Sequence, residues 1–133
     1  MFGALDTSTS ALVAQRTRAQ AISANIANQN ANFDKHGENN PFQRRIAVLA
    51  PGDPSTGNTN GVHVREIMLD QHFQMKYDPT NPAADERGYI KSTNIDPMME
   101  QVNMLEASRA YEANIAAAEA TKSMIQTSLR LLA

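Results

Sequence analysis

The sequence contains no cysteine and no tryptophan. Without a thiol, a disulfide scaffold, a cysteine-type zinc site and thiol chemistry are excluded, while the redox compartment stays open. Aromatic residues make up 5% of the 133, and alanine is the largest contributor to the 41% that is hydrophobic, so a thick aromatic core is not expected. No run approaches the roughly 18 apolar residues that a membrane span requires, and direct membrane insertion is not expected. Nor is there an excess of positive charge. Twelve Lys and Arg stand against 14 Asp and Glu, a net charge of −2, and Arg44-Arg45 is an isolated basic pair, which argues against a nucleic-acid or anionic-membrane partner. A charged n-region, an apolar h-region and a small-residue cleavage site are missing from the N-terminal stretch, so the reading is a chain without a Sec-type signal peptide. This length fits one compact unit, or a small middle region with long arms.

Between Thr7 and Phe33 there is no acidic residue, and the stretch is built from Ala, Ser, Thr, Gln and Asn with Arg16 and Arg18. Leu5, Leu12, Ala19 and Ile26, joined by Ile22, form one narrow apolar stripe at helical spacing, which suits a helical neighbour. Asp6 is placed as the cap of this helix, and its end is placed near Asn30, where asparagines accumulate.

The middle, from Asp34 to Asn94, holds five of the six glycines and five of the six prolines and cannot be one helix. Phe42–Ala50 and Val62–Leu69 have strand character, with Pro51–Gly61 read as the long loop of a hairpin. Phe73–Tyr77 and Tyr89–Lys91 add two short strands around the turn-rich Asp78–Pro82, giving a small open sheet.

Asp96-Pro97 is a helix start: Asp accepts from the free amides of the first turn, and Pro at the first position has no amide to leave unpaired. Nothing breaks the helix from Pro97 to Leu132, roughly 50 Å at 1.5 Å per residue, more than a chain of this size needs to cover its own core. Met104, Ser108, Tyr111, Ile115, Ala118, Lys122, Ile125, Leu129 and Leu132 step by threes and fours as a heptad seam, and Ala110, Ala113, Ala117 and Ala120 form a second seam of small residues. Two apolar faces imply at least two helical neighbours, and one chain supplies a single other long helix.

Catalytic signals are absent from the pattern. His36, His63 and His72 show no metal-ligand spacing and are read as solvated loop or strand-edge residues. Asp78, Asp85 and Glu86 lack the alternation of a calcium loop and are read as turn and capping residues. Gly52, Gly57 and Gly61 precede no Lys-Ser/Thr, and no Gly-x-Ser-x-Gly elbow occurs. The chain is read as a non-enzyme with no cofactor and no metal. Asn25, Asn28 and Asn32 fall on one side of the first helix. Two readings stand equally open: a fraying C-terminus, or an amide network that fixes register between packed helices and is satisfied only on assembly.

Ser23-Ala24-Asn25-Ile26-Ala27-Asn28-Gln29-Asn30 resembles the N-terminal signature of the flagellar rod, hook and hook-filament-junction proteins. Arg109-Ala110-Tyr111-Glu112-Ala113-Asn114, followed by Lys122-Ser123-Met124, resembles their C-terminal signature. The middle, Tyr77-Asp78-Pro79-Thr80-Asn81-Pro82 through Tyr89-Ile90 and then Asn94-Ile95, is similar to the segment that marks proximal-rod subunits, as is Pro41-Phe42-Gln43-Arg44-Arg45. The resemblance covers essentially the whole chain. It implies a structural subunit of the proximal rod of the bacterial flagellar basal body, lying in the periplasmic space and exported by the flagellar type III apparatus without a cleaved signal. Its partners would be other rod proteins and copies of itself, assembled helically into a torque-transmitting shaft around the export channel.

The expected fold is therefore α+β: two long terminal α-helices packed as a coiled-coil-like pair with a small β-hairpin-rich middle. Residues 1–33 would be the N-terminal arm, 34–96 the β-rich region and 97–133 the C-terminal helix. Subunit packing is assigned to Leu12, Ile22, Asn25, Ile26 and Asn28 on the first helix, and to Tyr111, Ala113, Asn114, Ile115, Ala117, Ala120, Ile125 and Leu129 on the last. The alternative is a free-standing coiled-coil adaptor.

Overall fold

The computed structural model describes residues 2–132. The N-terminal helix α1 runs Phe2–Ala27, and the C-terminal helix α2 runs Pro97–Leu132 over 36 residues. Between them lie β1 (Arg45–Asp53), β2 (Asn58–Leu69), β3 (Gln74–Tyr77) and β4 (Tyr89–Ser92). The fold is α+β, as expected.

The start of α2 is built as its sequence requires: the Asp96 carboxylate accepts from the Met98 N–H at 2.9 Å, and the Asp96 carbonyl accepts from Glu100 at 3.0 Å. The start of α1 is not. The helix begins at Phe2, which leaves Asp6 inside it rather than capping it, and it closes at Ala27 instead of continuing to Asn30. Residues 28–30 turn, with the Asn28 N–H donating back to the Ala24 carbonyl at 3.1 Å.

β1 and β2 pair antiparallel from Arg45↔Leu69 to Asp53↔Asn58, and β3 pairs antiparallel with β4. Most of the expected Pro51–Gly61 loop is thus strand, and the turn shrinks to residues 54–57. Two local devices permit this. Gly52, at φ +80, takes the irregularity between Pro51 and Asp53. The Asp53 carboxylate then gathers the Ser55 N–H at 2.9 Å, the Ser55 hydroxyl at 2.6 Å and the Thr56 hydroxyl at 3.1 Å, so the tight turn has its own polar closure. Instead of one small open sheet there are two separate two-stranded ribbons. Asp78 and Asp85 serve as turn residues, the Asp85 carboxylate accepting from the N–H groups of Arg87 and Tyr89, each at 2.9 Å.

α1 lies between α2 and the β1–β2 hairpin and packs on both. The helices are antiparallel, because Arg18 of α1 meets Glu106 of α2 at 3.0 Å while Asn25 meets Glu100 at 3.1 Å. Among the described residues the buried apolar side chains are few, three alanines and three isoleucines: Ala14, Ala21 and Ile22 of α1, Ile90, Ile95, and Ala107 of α2. Continuing the antiparallel pairing brings the start of α1 level with about Lys122, so roughly the last three turns of α2 run on past it. There Leu131 and Leu132 are 84% and 86% exposed.

Candidate assembly interface

The largest fully buried side chains are both polar, Asn25 at 0% and Glu100 at 1% exposure. They meet where α1, the hairpin and α2 converge. The Asn25 amide donates to the Arg45 carbonyl at 2.8 Å and accepts from the Arg45 N–H at 2.8 Å, and it also donates to one Glu100 oxygen at 3.1 Å. The other Glu100 oxygen accepts from Arg44 Nε at 2.6 Å. A buried carboxylate is tolerated only when paired and hydrogen-bonded, and here each oxygen has a donor. Of the two readings of the asparagines, the amide network holds for Asn25, with one correction: it is complete inside a single chain and does not wait for assembly. Asn28 is half-buried and its amide donates to the Ala24 carbonyl at 2.8 Å, a local bond at the helix end.

The device repeats beyond α1. Asn39 donates to the Lys91 carbonyl at 2.9 Å and accepts from the Lys91 N–H at 2.8 Å, again imitating a strand neighbour. Asn32 accepts from the Thr93 N–H at 3.1 Å, and the Thr93 hydroxyl donates to the Gln29 carbonyl. The asparagine-rich stretch is thereby clamped to β4. Asn32 was read with Asn25 from their i, i+7 spacing, whereas Glu100, Arg44, Asn39 and Thr93 were missed in the sequence because a single polar residue carries no periodicity.

A second pin holds the hairpin farther along α1. The Ser10 hydroxyl accepts from the Val62 N–H at 3.1 Å and donates to the Thr7 carbonyl at 2.7 Å. A Cβ on Gly61, whose φ is +93, would stand 2.6 Å from that hydroxyl oxygen. From Ser10 to Asn25 is about 22 Å of helix, and from Arg45 to Pro51, the partner of Val62, about 20 Å of strand. The hairpin is a strap of matching length fastened at both ends.

On α1, Ile22 is buried with Asn25, whereas Leu12 and Ile26 are half-buried beside Leu5 and Ala19. The line most enclosed against α1 on α2 runs through Glu100, Asn103, Ala107, Ala110 and Asn114, continuing half-buried through Ala118, Thr121 and Ile125. Tyr111 and Ile115 stand at its edge, 38% and 37% exposed, and Leu129 is 61% exposed. On the other edge Ala113, Ala117 and Ala120 are exposed. Asn114 donates to the Ala110 carbonyl at 2.7 Å. So α2 touches its own chain along a line mostly of small and polar residues, which takes Ala110 from one seam and Ala118 and Ile125 from the other. The outer parts of both seams, with Tyr111, Ile115 and Leu129 on one side and Ala113, Ala117 and Ala120 on the other, remain open, although burying an Ile or Leu is worth about 1.5–3 kcal/mol.

The grooves beside this junction are shallow. One of about 420 Å³ between α1, β1 and α2 is lined by Arg18, Arg44, Arg45, Ile22 and Glu100. The His63 Nδ1 lies 2.7 Å from the Gly52 carbonyl, and His72 pairs with Asp70 at 2.7 Å on the surface. The Asp70 carboxyl is held down at about 2, chiefly by the His72 backbone N–H, with the His72 ring and the Asn94 amide adding to it. Among the described residues there is no cluster of three or more metal-ligating side chains, and no helix is long and apolar enough to cross a membrane.

Residues 86–131 match the family described as flagellar basal body rod FlgEFG protein C-terminal. Nearly the whole chain is similar to a flagellar basal-body rod protein FlgC of Bacillus subtilis, with 37% identity over 98% of this chain and 97% of that protein. The protein of the same name from Aquifex aeolicus is 42% identical over 95% of this chain and 92% of its own. That from Escherichia coli O6:H1 is 34% identical over 95% and 93%.

Proposed function

The chain belongs to the flagellar basal-body rod protein FlgC family, and on that premise we propose that it is a structural subunit of the flagellar rod. The observation that carries this reading is the similarity to rod proteins along nearly the full length of both chains. The work of such a subunit is mechanical: it transmits torque by shape and packing, and catalysis has no part in it.

At the finer level, α1 and α2 form the inner, helical layer of the proximal rod around the export channel, and the strapped hairpin region lies outside them. The division into arms 1–33 and 97–133 with a middle 34–96 describes these roles. Two open seams on α2 support the placement, since a helix with apolar flanks on both sides of its intramolecular contact has room for two further helices. The subunit-packing residues are then Tyr111, Ile115 and Leu129 on one flank and Ala113, Ala117 and Ala120 on the other, with Asn114 and Ile125 between them. On α1, Leu12 and Ile26 lie on a half-open flank, while Ile22, Asn25 and Asn28 support the packing from within. Neighbours are other rod proteins and further copies of this chain. The chain reaches the periplasmic space through the flagellar type III export apparatus, without a cleaved signal.

Deleting the coding sequence in the source bacterium tests the proposal. Loss of motility and of rods in purified basal bodies, both restored by the wild-type chain, is expected. Normal rods in the deletion strain would refute it.

A further inference from the structure

The face that α2 turns toward α1 is not the one hydrophobic burial would select. In the stretch that faces α1 the enclosed line runs through Ala107, Ala110, Asn114 and Ala118, whereas the larger apolar residues Tyr111 and Ile115 stand at its edge. At 100° per residue the two lines are separated by about 75° around the helix. A rotation of α2 by that angle about its own axis would bring Tyr111 and Ile115 against α1 in place of small residues, and burial favours that rotation. Something opposes it.

We propose that Glu100 is a positioning residue that locks the rotational setting of α2, and so keeps the larger seam turned outward. Its carboxylate is buried, with Arg44 Nε at 2.6 Å on one oxygen and the Asn25 amide at 3.1 Å on the other. Both donors are fixed from outside α2: Asn25 is held in α1 by its paired bonds to Arg45, and Arg44 leads directly into β1. With side chains about 5–6 Å from the helix axis, a rotation of about 75° moves the carboxylate about 7 Å, beyond reach of both donors. A charge stripped of its partners in a buried place disfavours the rotated state far more than a few extra apolar contacts favour it. Arg18–Glu106 lies on the surface, with Glu106 65% exposed, and cannot hold the setting in the same way. That the outward seam serves assembly rests on the proposed function; the lock itself is a property of the single chain.

The absence of cysteine makes the test direct, because one introduced thiol has no competitor. Single thiols at Ile115→Cys and Asn114→Cys, neighbours about 100° apart, are labelled with a maleimide on the purified chain. In the otherwise unchanged protein the thiol at 115 reacts about tenfold faster than that at 114. The double substitution Arg44→Met with Glu100→Leu removes both charges together, an exchange that buried ion pairs often tolerate. In that background the order reverses, by a comparable factor, with a cooperative thermal transition by circular dichroism retained. An unchanged order overturns the proposal. So does loss of the cooperative transition, because Glu100 would then be required for folding itself rather than for choosing a face. Neither negative result bears on the rod assignment, which is tested in cells.

Discussion

Asn25 and Arg45 are joined as two facing residues of a β-ladder would be, the side-chain amide of one giving and taking a hydrogen bond, each 2.8 Å, with the backbone of the other. A helix cannot join a sheet through its own backbone, since its N–H and C=O groups are used internally. The asparagine supplies a substitute peptide group, and the strap begins there.

Replacing Asn25 by Ala strands the Arg45 N–H and carbonyl and removes a donor from buried Glu100. The expected loss is on the order of 1–3 kcal/mol of unfolding free energy, measured by urea denaturation. An unchanged urea midpoint would mean that water replaces the amide and that the junction does not depend on it.

Gly61→Ala should be destabilising for two separable reasons, the contact of the new Cβ with the Ser10 hydroxyl and a φ of +93. The second alone costs about 1–3 kcal/mol. Thermal unfolding of Gly61→Ala and of Gly61→Ala with Ser10→Ala separates them. The double variant should recover part of the loss and not all of it.

The surface clamp of Asp70 gives an acid-side signature. Its carboxyl is held at about 2, against an ordinary value of 3.8. A depressed carboxylate contributes stability that is complete above the unfolded value and is lost as pH falls through the folded one. Stability measured from pH 5 to 2 should therefore fall more steeply between about pH 4 and 2 in the wild type than in Asp70→Asn. Parallel curves would show that the clamp adds nothing.

Ala117→Glu places a charge on the alanine flank of α2 at small cost in helix propensity. The isolated chain should keep its stability within about 0.5 kcal/mol, as a surface substitution does. Export of the chain should continue and rod assembly should stop, read from secreted protein and from basal bodies.

The parts of this fold legible in the sequence are those with a repeating or punctuating signal. Asp96-Pro97 marked the start of α2, the density of glycine and proline marked the middle, and alternation marked the strands. Pro51–Gly61 misled because composition does not reveal that Gly52 absorbs an irregularity while Asp53 closes the turn, so the strands run through it. The stripe Leu5, Leu12, Ala19 and Ile26 was real as a pattern, yet only Ile22, which joins it, is fully buried, and Ala14, Ala21 and Asn25 are enclosed on another line, because α1 has two neighbours rather than one. Likewise the seams of α2 lend only Ala110, Ala118 and Ile125 to its contact line, and their other residues flank it. Helical periodicity ranks faces by apolarity, and here a buried Glu100, which no periodicity announces, sets the face.

The central claim is that this chain is a rod subunit whose α2 flanks are covered by other helices once assembled. Electron cryomicroscopy of basal bodies purified from the source bacterium tests it most directly. The account predicts density for this chain in the rod, with Ala113, Ala117 and Ala120 against one helix and Tyr111, Ile115 and Leu129 against another. Complete rods lacking the chain, or containing it with both flanks of α2 facing solvent, would contradict it.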